Sequence, residues 1–297
     1  MRVTQSMLSN NMLRNLSNSY ANMGKYQDQL STGKKISRPS QDPVVAMKGI
    51  NYRQQVTEVE QFQRNIGEVH NWMDNSDSAL DKATQAMQRV RELTVQASND
   101  TYEEGQRENI AKEIRQLKEH LGTIANTKVN DKYIFNGGDT TNPPFANMDA
   151  LENTVIPGAT GEDEVRIEVS SGVKLQANVL PGRVFNQDLF KDLDDFAQAL
   201  EGDASKGELG DFLGKFDDHI GNIVNERADL GARMNRVELV EDRLETQKIS
   251  ATKMMSDNED ADIEKVITDL KTQESVHRAA MGVGARIIQP TLMDFLR

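Results

Sequence analysis

The fold is decided by one long periodic stretch, residues 52–90, with the sequence YRQQVTEVEQFQRNIGEVHNWMDNSDSALDKATQAMQRV. Its apolar residues recur at steps of three, four or seven, the spacing that keeps side chains on one face of an α-helix. These apolar positions are Tyr52, Val56, Val59, Phe62, Ile66, Val69, Met73, Leu80, Ala83, Met87 and Val90. A helix of about 55 residues would extend roughly 80 Å at 1.5 Å per residue. Because a globular domain rarely needs so long a helix, the stretch predicts a rod.

A shorter helix is predicted before this stretch, ending at Gly33. Its apolar stripe consists of Leu16, Tyr20, Met23 and Leu30. Pro39 and Pro43 then interrupt helical structure, and Asp42 is a suitable N-cap for a following helix that has Pro43 at its first position. A domain boundary is therefore expected in this segment.

A third helix is predicted after a turn near residues 99–101, where the chain reverses direction. It is expected to pack antiparallel to the long helix, as neighbouring helices joined by a short loop do. The apolar positions of the third helix are Ile110, Ile114, Leu117, Leu121 and Ile124.

The middle of the chain loses helical periodicity from about Lys128. Turn-forming residues follow at 136–138, 143–144 and 157–158. Apolar and polar residues then alternate on both sides of Ser170-Ser171-Gly172, which predicts a β-hairpin. The alternating apolar residues are Val165, Ile167 and Val169, followed by Val173, Leu175, Ala177 and Val179. The middle is therefore expected to be a small β-rich insert.

Helical periodicity returns beyond Pro181-Gly182. A short helix is predicted over 189–200, a long one over 209–244, and a last one that starts near Asp260. The last helix has its apolar positions at Ile263, Ile267, Leu270, Met281, Ile288, Leu292 and Phe295. The predicted fold class is mainly α: a long antiparallel helical rod with paired N- and C-terminal helices and a small β-rich insert.

The overall composition excludes several classes of function. The chain has 297 residues, a net charge of -12 and no cysteine. An acidic surface does not favour nucleic acid as a partner, and disulfides, thiolate catalysis and cysteine-based metal sites are ruled out. No stretch of about 18 apolar residues is present, and the N-terminus lacks the apolar core of a secretory signal.

Both ends of the chain are poor in charge, unlike the rest. Residues 1–33 and 275–297 each contain only four charged residues: Arg2, Arg14, Lys25 and Asp28 in the first, and Arg278, Arg286, Asp294 and Arg297 in the second. A sparsely charged amphipathic helix needs an apolar partner. We therefore expect the terminal helices to pair and to contact neighbouring subunits. The expected contact residues are Met7, Leu16, Tyr20, Met23, Leu30, Ile267, Leu270, Met281, Ile288, Leu292 and Phe295.

No motif indicates catalysis or a bound cofactor or metal. The four histidines, His70, His120, His219 and His277, lie far apart and lack the spacing of a zinc site. The acidic run 257–264 lacks the turn glycine of a calcium loop, and Gly282-Val283-Gly284 lacks the third glycine of a dinucleotide site. An enzyme is therefore not expected.

An alternative function, of a different kind, is that of a membrane-active helical protein of a secretion apparatus. Its C-terminal amphipathic helix would then lie in a lipid interface, which requires a strongly basic polar face. Residues 275–297 supply three arginines and one aspartate. This weak basic character favours burial between helices, without stable membrane insertion.

Three motifs, in order along the chain, resemble the flagellin family. They lie at residues 30–43, after the first helix, at 227–238 on the returning long helix, and at 289–296 near the C-terminus. With the helical pattern, the resemblance covers roughly residues 1–140 and 205–297. The family-motif residues singled out are Gly33, Asp42, Pro43, Leu230, Gly231, Asn235 and Arg236.

The resemblance implies a division into three domains. Residues 1–40 and 255–297 would form a coiled-coil core of terminal helices, and residues 41–139 and 204–254 a rod of long helices. Residues 140–203 would form the outward-facing insert. No reaction is implied.

The resemblance also implies a location and partners. Segments 132–140 and 143–145 are similar to the branch of the family that joins the hook to the filament, and the filament subunit itself is the alternative. The implied partners are identical subunits, hook-associated protein 1 below and flagellin above. Export would pass through the flagellar type III apparatus with an export chaperone, which places the protein outside the cell, in the flagellum.

Overall fold

The computed structural model describes residues 5–98, 104–145, 147, 151, 164–202 and 206–288. Within them the fold is mainly α-helical, which confirms the predicted class. The long helix α2 has 55 residues, the length predicted from its periodicity. The helices are α1 (Gln5–Thr32), α2 (Pro43–Ala97), α3 (Glu104–Ala125), α4 (Pro181–Val184), α5 (Gln187–Glu201), α6 (Lys206–Glu259) and α7 (Ile263–Ile288).

Among the described residues between α3 and α4, two antiparallel strand pairs are present. The strands are β1 (Lys128–Val129), β2 (Lys132–Tyr133), β3 (Arg166–Ser170) and β4 (Val173–Gln176). The pair β3–β4 is the predicted hairpin, with Ile167 opposite Leu175 and an irregularity between Glu168 and Ser170. The tight turn after β3 contains Gly172 at φ +73°, a backbone conformation that glycine adopts readily.

The chain divides into two compact units. The central unit is Val59–Thr246, and the terminal unit combines Met1–Glu58 with Gln247–Arg297. The large hydrophobic core belongs to the central unit, because all its members lie between Val59 and Leu244. In the described part of the terminal unit, the buried hydrophobic residues are only Ala251 and Val266. The predicted three-domain division stays a prediction.

Residues spaced by seven form the centre of that core. A repeat of seven corresponds to 3.5 residues per turn and is typical of long helices that pack along one another. Because each series recurs on one face, α2 and α6 each bury a continuous stripe. The buried series are Val59, Ile66, Met73, Leu80 and Met87 on α2, and Leu209, Phe216, Ile223, Leu230, Val237 and Leu244 on α6.

Buried phenylalanines attach the middle of the chain to this helical core. The ring centroids of Phe145 and Phe190 are 4.8 Å apart in an edge-to-face arrangement. Phe196 of α5 lies 5.4 Å from Phe216 of α6 in the same manner. Such pairs add about 0.5–1.5 kcal/mol beyond the burial of their area. The segment after α3 and helix α5 are therefore held as part of the central unit.

Candidate assembly surface

The terminal helices α1 and α7 pack against each other in antiparallel orientation. Met12 near the start of α1 touches Gly284 near the end of α7, where an added Cβ would lie 1.6 Å from Met12 Cε. Further along, the Gln273 side-chain amide donates to Ser19 Oγ at 2.9 Å. The predicted pairing of the N- and C-terminal helices is therefore confirmed.

This helix pair leaves much of its apolar surface in contact with solvent. Four of the predicted contact residues are exposed: Met7 by 54%, Tyr20 by 69%, Ile267 by 40% and Met281 by 54%. The half-buried ones are Leu16, Met23, Leu30 and Leu270. Ile288 is the last residue of α7, while Leu292 and Phe295 lie outside the described residues. Their role as subunit contacts stays a prediction.

Sequence reasoning missed further apolar residues on the same pair. Leu13 is 55% exposed on α1, and Val276 and Val283 are more than half exposed on α7. Their spacing in the sequence could have indicated them, because Leu13 precedes Leu16 by three positions and Val276 and Val283 are seven positions apart. They enlarge the exposed apolar surface of the terminal helices.

The family-motif residues Gly33, Asp42 and Pro43 mark the helix ends next to this pair. Gly33 follows α1 with φ +68°, and its N–H donates to Gln29 O at 2.9 Å, which ends the helix as glycine commonly does. Asp42 is the N-cap of α2, since its Oδ1 accepts from the backbone N–H of Val44 at 3.0 Å and of the next residue at 3.1 Å. Pro43 is the first residue of α2, so the predicted cap is confirmed.

In the terminal unit, the connector 33–42 is hydrogen-bonded to the end of α6 and to the connector 260–262. The Lys35 N–H donates to Glu259 O at 2.7 Å, and the Ala261 N–H donates to Gly33 O at 2.8 Å. These bonds run in both directions between segments that are more than 220 positions apart. The end of α1 and the start of α7 are thereby held at the same level.

A cluster of ion pairs strengthens this junction. The buried carboxylate of Glu259 accepts from Arg53 Nε at 2.8 Å and lies 3.5 Å from Lys34 Nζ. Lys34 Nζ also donates to Asp260 Oδ1 at 2.6 Å. That hydrogen bond lowers the pKa of Asp260 and raises the pKa of Lys34. The bond to Glu259 likewise raises the pKa of Arg53. Lys34, Arg53 and Asp260 therefore stay charged together over a wide pH range.

Gly49, inside α2, makes room for this cluster. A Cβ at Gly49 would lie 2.5 Å from Glu259 Oε1, closer than side-chain atoms approach one another. Glycine in a helix costs roughly 0.5–1 kcal/mol relative to alanine. The close approach of the Glu259 carboxylate accounts for a glycine at this position.

The second family motif belongs to the central unit. Leu230 is fully buried in its core, Gly231 is half-buried, and Asn235 and Arg236 are exposed. The motif residues therefore lie in different environments. Leu230 has a role in the core, whereas a functional role of Gly231, Asn235 and Arg236 stays a prediction.

Two arginines of the same motif tie α6 to its surroundings, and sequence reasoning gave them no role. Arg227 pairs with Asp77 Oδ1 at 3.0 Å and with Asp81 Oδ1 at 2.8 Å, both on α2. Arg233 donates to the backbone oxygen of Asn178 at 3.1 Å and pairs with the buried Glu226 at 3.2 Å. Apart from Glu226, which is seven positions before Arg233, the partners are far away in sequence, so no local pattern could have indicated them.

Among the described residues, no three His, Cys, Asp or Glu side chains come close enough together to hold a metal ion. His70 is 3.1 Å from Glu241, and His219 is 3.0 Å from Asp192, which also pairs with Lys215. No helix in the described ranges has the length and apolar character needed to cross a membrane.

Fold and surface together define a class of protein: a mainly helical subunit whose N- and C-terminal helices pair and present apolar side chains to solvent. Comparison with known families agrees. Residues 3–140 match the bacterial flagellin N-terminal helical region, and residues 213–296 match the bacterial flagellin C-terminal helical region. The chain belongs to the flagellin family, so it is a structural protein of the bacterial flagellum.

Individual relatives cover nearly the whole chain. The flagellar hook-associated protein 3 of Escherichia coli (strain K12) is 28% identical over 94% of this chain and 95% of its own length. The flagellin of Bacillus subtilis (strain 168) is 26% identical over 97% of both chains. The crystal structure of the flagellar junction protein of Legionella pneumophila has a TM-score of 0.59 at 15% identity, and covers 72% of this chain and 100% of that one. The last likeness concerns the fold alone.

Proposed function

We propose that this protein forms the junction between the hook and the filament of the bacterial flagellum and is the platform on which flagellin polymerises. The observation that carries the proposal is the contrast between the two units. The central unit buries a large core, whereas the terminal unit exposes most of its large apolar side chains. Extended exposed apolar surface is typical of a protein–protein interface.

Burial of this surface between subunits supplies the free energy of assembly. Complete burial of a Met or Leu side chain contributes roughly 1.5–3 kcal/mol, so a side chain that is already half covered contributes about 1 kcal/mol more. Several such residues on each helix are needed to offset the cost of association, which is about 4–15 kcal/mol. The stripes on α1 and α7 provide them.

The domains take their places accordingly. Residues 1–40 and 255–297 form the inner coiled-coil core of the tubular assembly, with the predicted contact residues of the terminal helices between subunits. Residues 41–139 and 204–254 form the next layer, and residues 140–203 face outward. The exposed positions of Met7, Tyr20 and Met281 in the chain alone support this arrangement.

A junction role is favoured over a filament role by the segment after α3. The Asn126 side chain holds Phe145 from both sides, because its amide donates to Phe145 O at 2.8 Å and its oxygen accepts from Phe145 N at 3.0 Å. This anchored segment is the one that resembles the junction branch, and the E. coli relative bears the name hook-associated protein. The alternative is a filament flagellin subunit, which the relative from B. subtilis supports.

The partners follow from the position in the flagellum. Hook-associated protein 1 lies below and flagellin above, and identical subunits lie alongside. The unfolded chain reaches its site outside the cell through the type III export apparatus, escorted by an export chaperone.

Localisation on isolated flagella tests the proposal. A tagged chain should label a narrow band between hook and filament, and deletion of the gene should leave complete hooks without filaments while flagellin is lost to the medium. Expression of the wild-type chain in the deletion strain is the control and should restore filaments. Label along the entire filament would instead identify the chain as a filament subunit.

A further inference from the structure

Two stretches of the terminal unit carry opposite charge. Residues 34–53 are basic although the chain as a whole has a net charge of -12, and residues 257–264 are acidic. The basic stretch contains Lys34, Lys35, Arg38, Lys48 and Arg53 beside the single carboxylate Asp42, and the acidic stretch contains Asp257, Glu259, Asp260, Asp262 and Glu264 without a cation.

Internal ion pairs use only some of these charges. The cluster around Glu259 engages two of the cations and one further carboxylate, as described above. Arg38 and Lys48 are exposed on the basic stretch, and Asp257 and Glu264 are exposed on the acidic one. Within the described part of the chain, none of these four side chains has an ion-pair partner. Each stretch therefore retains unpaired charge of one sign.

Exposed apolar residues accompany the unpaired charges on both stretches. Val44, Met47 and Ile50 recur every three positions at the start of α2 and are each about 60% exposed, at 59%, 67% and 60%. Beside them, Ile50 and Arg38 line an open pocket of about 250 Å³. On the acidic side, Ile263 and Ile267 of α7 are 42% and 40% exposed. Each stretch therefore combines a net charge of one sign with an apolar centre, although Lys265 is an exposed cation between Glu264 and Ile267.

We propose that these two surfaces bind each other between neighbouring copies of this chain. The basic face comprises Arg38, Val44, Met47, Lys48 and Ile50, and the acidic face comprises Asp257, Asp262, Ile263, Glu264 and Ile267. Charge complementarity identifies the occupant of each face as a second copy, since the same chain supplies both signs. The basic face contains none of the subunit contacts predicted from the terminal helices.

The geometry of the connectors gives the direction of the contact. Because the Lys35 N–H donates to Glu259 O and the Ala261 N–H donates to Gly33 O, both faces lie at the same level of the terminal unit. A contact between two different faces at one level sets copies side by side, and repetition of such a contact closes a ring or continues as a helix. The inference rests on the proposed function in requiring copies to stand side by side in the flagellum.

Cysteine cross-linking tests the contact directly, because the chain contains no cysteine of its own. Flagella are isolated from cells that express Lys48→Cys together with Glu264→Cys, and are treated with a short bis-maleimide. We expect a ladder of multimers on a denaturing gel, while either single variant stays monomeric. The matched control, Lys82→Cys with Glu238→Cys on exposed positions of the central unit, should give no ladder.

Charge reversal provides the second arm. Lys48→Glu or Glu264→Lys alone should cause loss of filaments, and the double variant Lys48→Glu/Glu264→Lys should restore them because the signs are exchanged. If wild-type chain is present in the flagella but the cysteine pair yields no ladder and the double reversal gives no rescue, this inference falls and the proposed function stands. If the wild-type chain itself is missing from isolated flagella, the proposed function falls and takes the inference with it.

Discussion

The substitution Met281→Asp should separate folding of the monomer from assembly. Met281 is 54% exposed on α7, so an aspartate there keeps its contact with water in the chain alone. The difference in helix propensity between the two residues is at most about 0.7 kcal/mol. We therefore expect the free energy of unfolding of the purified protein to fall by less than about 1 kcal/mol.

Assembly should respond much more strongly to the same change. The half of Met281 that subunit contacts would cover contributes about 1 kcal/mol of burial, which the aspartate forfeits. An unpaired carboxylate at a buried contact costs several kcal/mol more. A total of about 3 kcal/mol or more corresponds to at least a 100-fold weaker association at each contact, since about 1.4 kcal/mol is tenfold.

Two measurements on one variant decide this prediction. Urea unfolding of the purified chain reports monomer stability, and electron microscopy with an assay of secreted flagellin reports assembly. Met281→Leu is the matched control, because it keeps the apolar contact and should leave filaments normal. Normal filaments on Met281→Asp cells, or a monomer destabilised by several kcal/mol, would refute the reasoning.

The remaining predictions concern the folded chain itself. Asp42→Ala removes the cap of α2 and should cost about 1 kcal/mol locally, seen as faster hydrogen exchange of the amides that Asp42 caps; unchanged exchange would contradict the assigned cap. Phe216→Ala should cost about 3–5 kcal/mol in urea unfolding because its ring is fully buried, whereas the exposed Val224→Ala should cost about 0.5 kcal/mol or less. The Lys34–Asp260 pair should stabilise the protein most between the ordinary pKa values of 3.8 and 10.5: its contribution is lost as pH falls through the lowered pKa of Asp260 and as pH rises through the raised pKa of Lys34. Because both side chains are more than a third exposed, that contribution is below about 1 kcal/mol, and Lys34→Met should abolish the pH dependence it causes.

The helices could be predicted because their signal is local and repeated many times. In α2 the same apolar face recurs from Tyr52 to Val90, so no single exception changes the prediction. The hairpin β3–β4 was predictable because apolar and polar residues alternate on both sides of Gly172. The pair β1–β2 was missed because each strand has two residues, too few to show a period. Its turn residues, Asn130 and Asp131, are types that tolerate the positive φ both adopt, and they gave the available sequence signal.

The candidate surface was only partly predictable, because periodicity identifies the apolar face of a helix and does not tell how much of it another helix covers. On α7, Val266 is buried to 7% exposure while the adjacent Ile267 is 40% exposed. The start of α7 shows a second limit. Sequence placed the cap near Asp260, but Asp262 caps the helix by accepting from Lys265 N at 3.1 Å, and Asp260 pairs with Lys34 instead. That partner is 226 positions away in the sequence, beyond any local pattern.

The separation of buried and exposed apolar residues along the chain implies that folding and assembly depend on different residues. On α6, residues such as Leu230 and Val237 are fully buried within one chain, so their free energy is already gained when the monomer folds. On α7, Met281 and Val283 remain more than half exposed, so the free energy of burying them is gained only when another molecule covers them. A change in the central core therefore reduces the amount of folded protein. A change on the terminal helices leaves the folded monomer intact and removes its ability to join its neighbours.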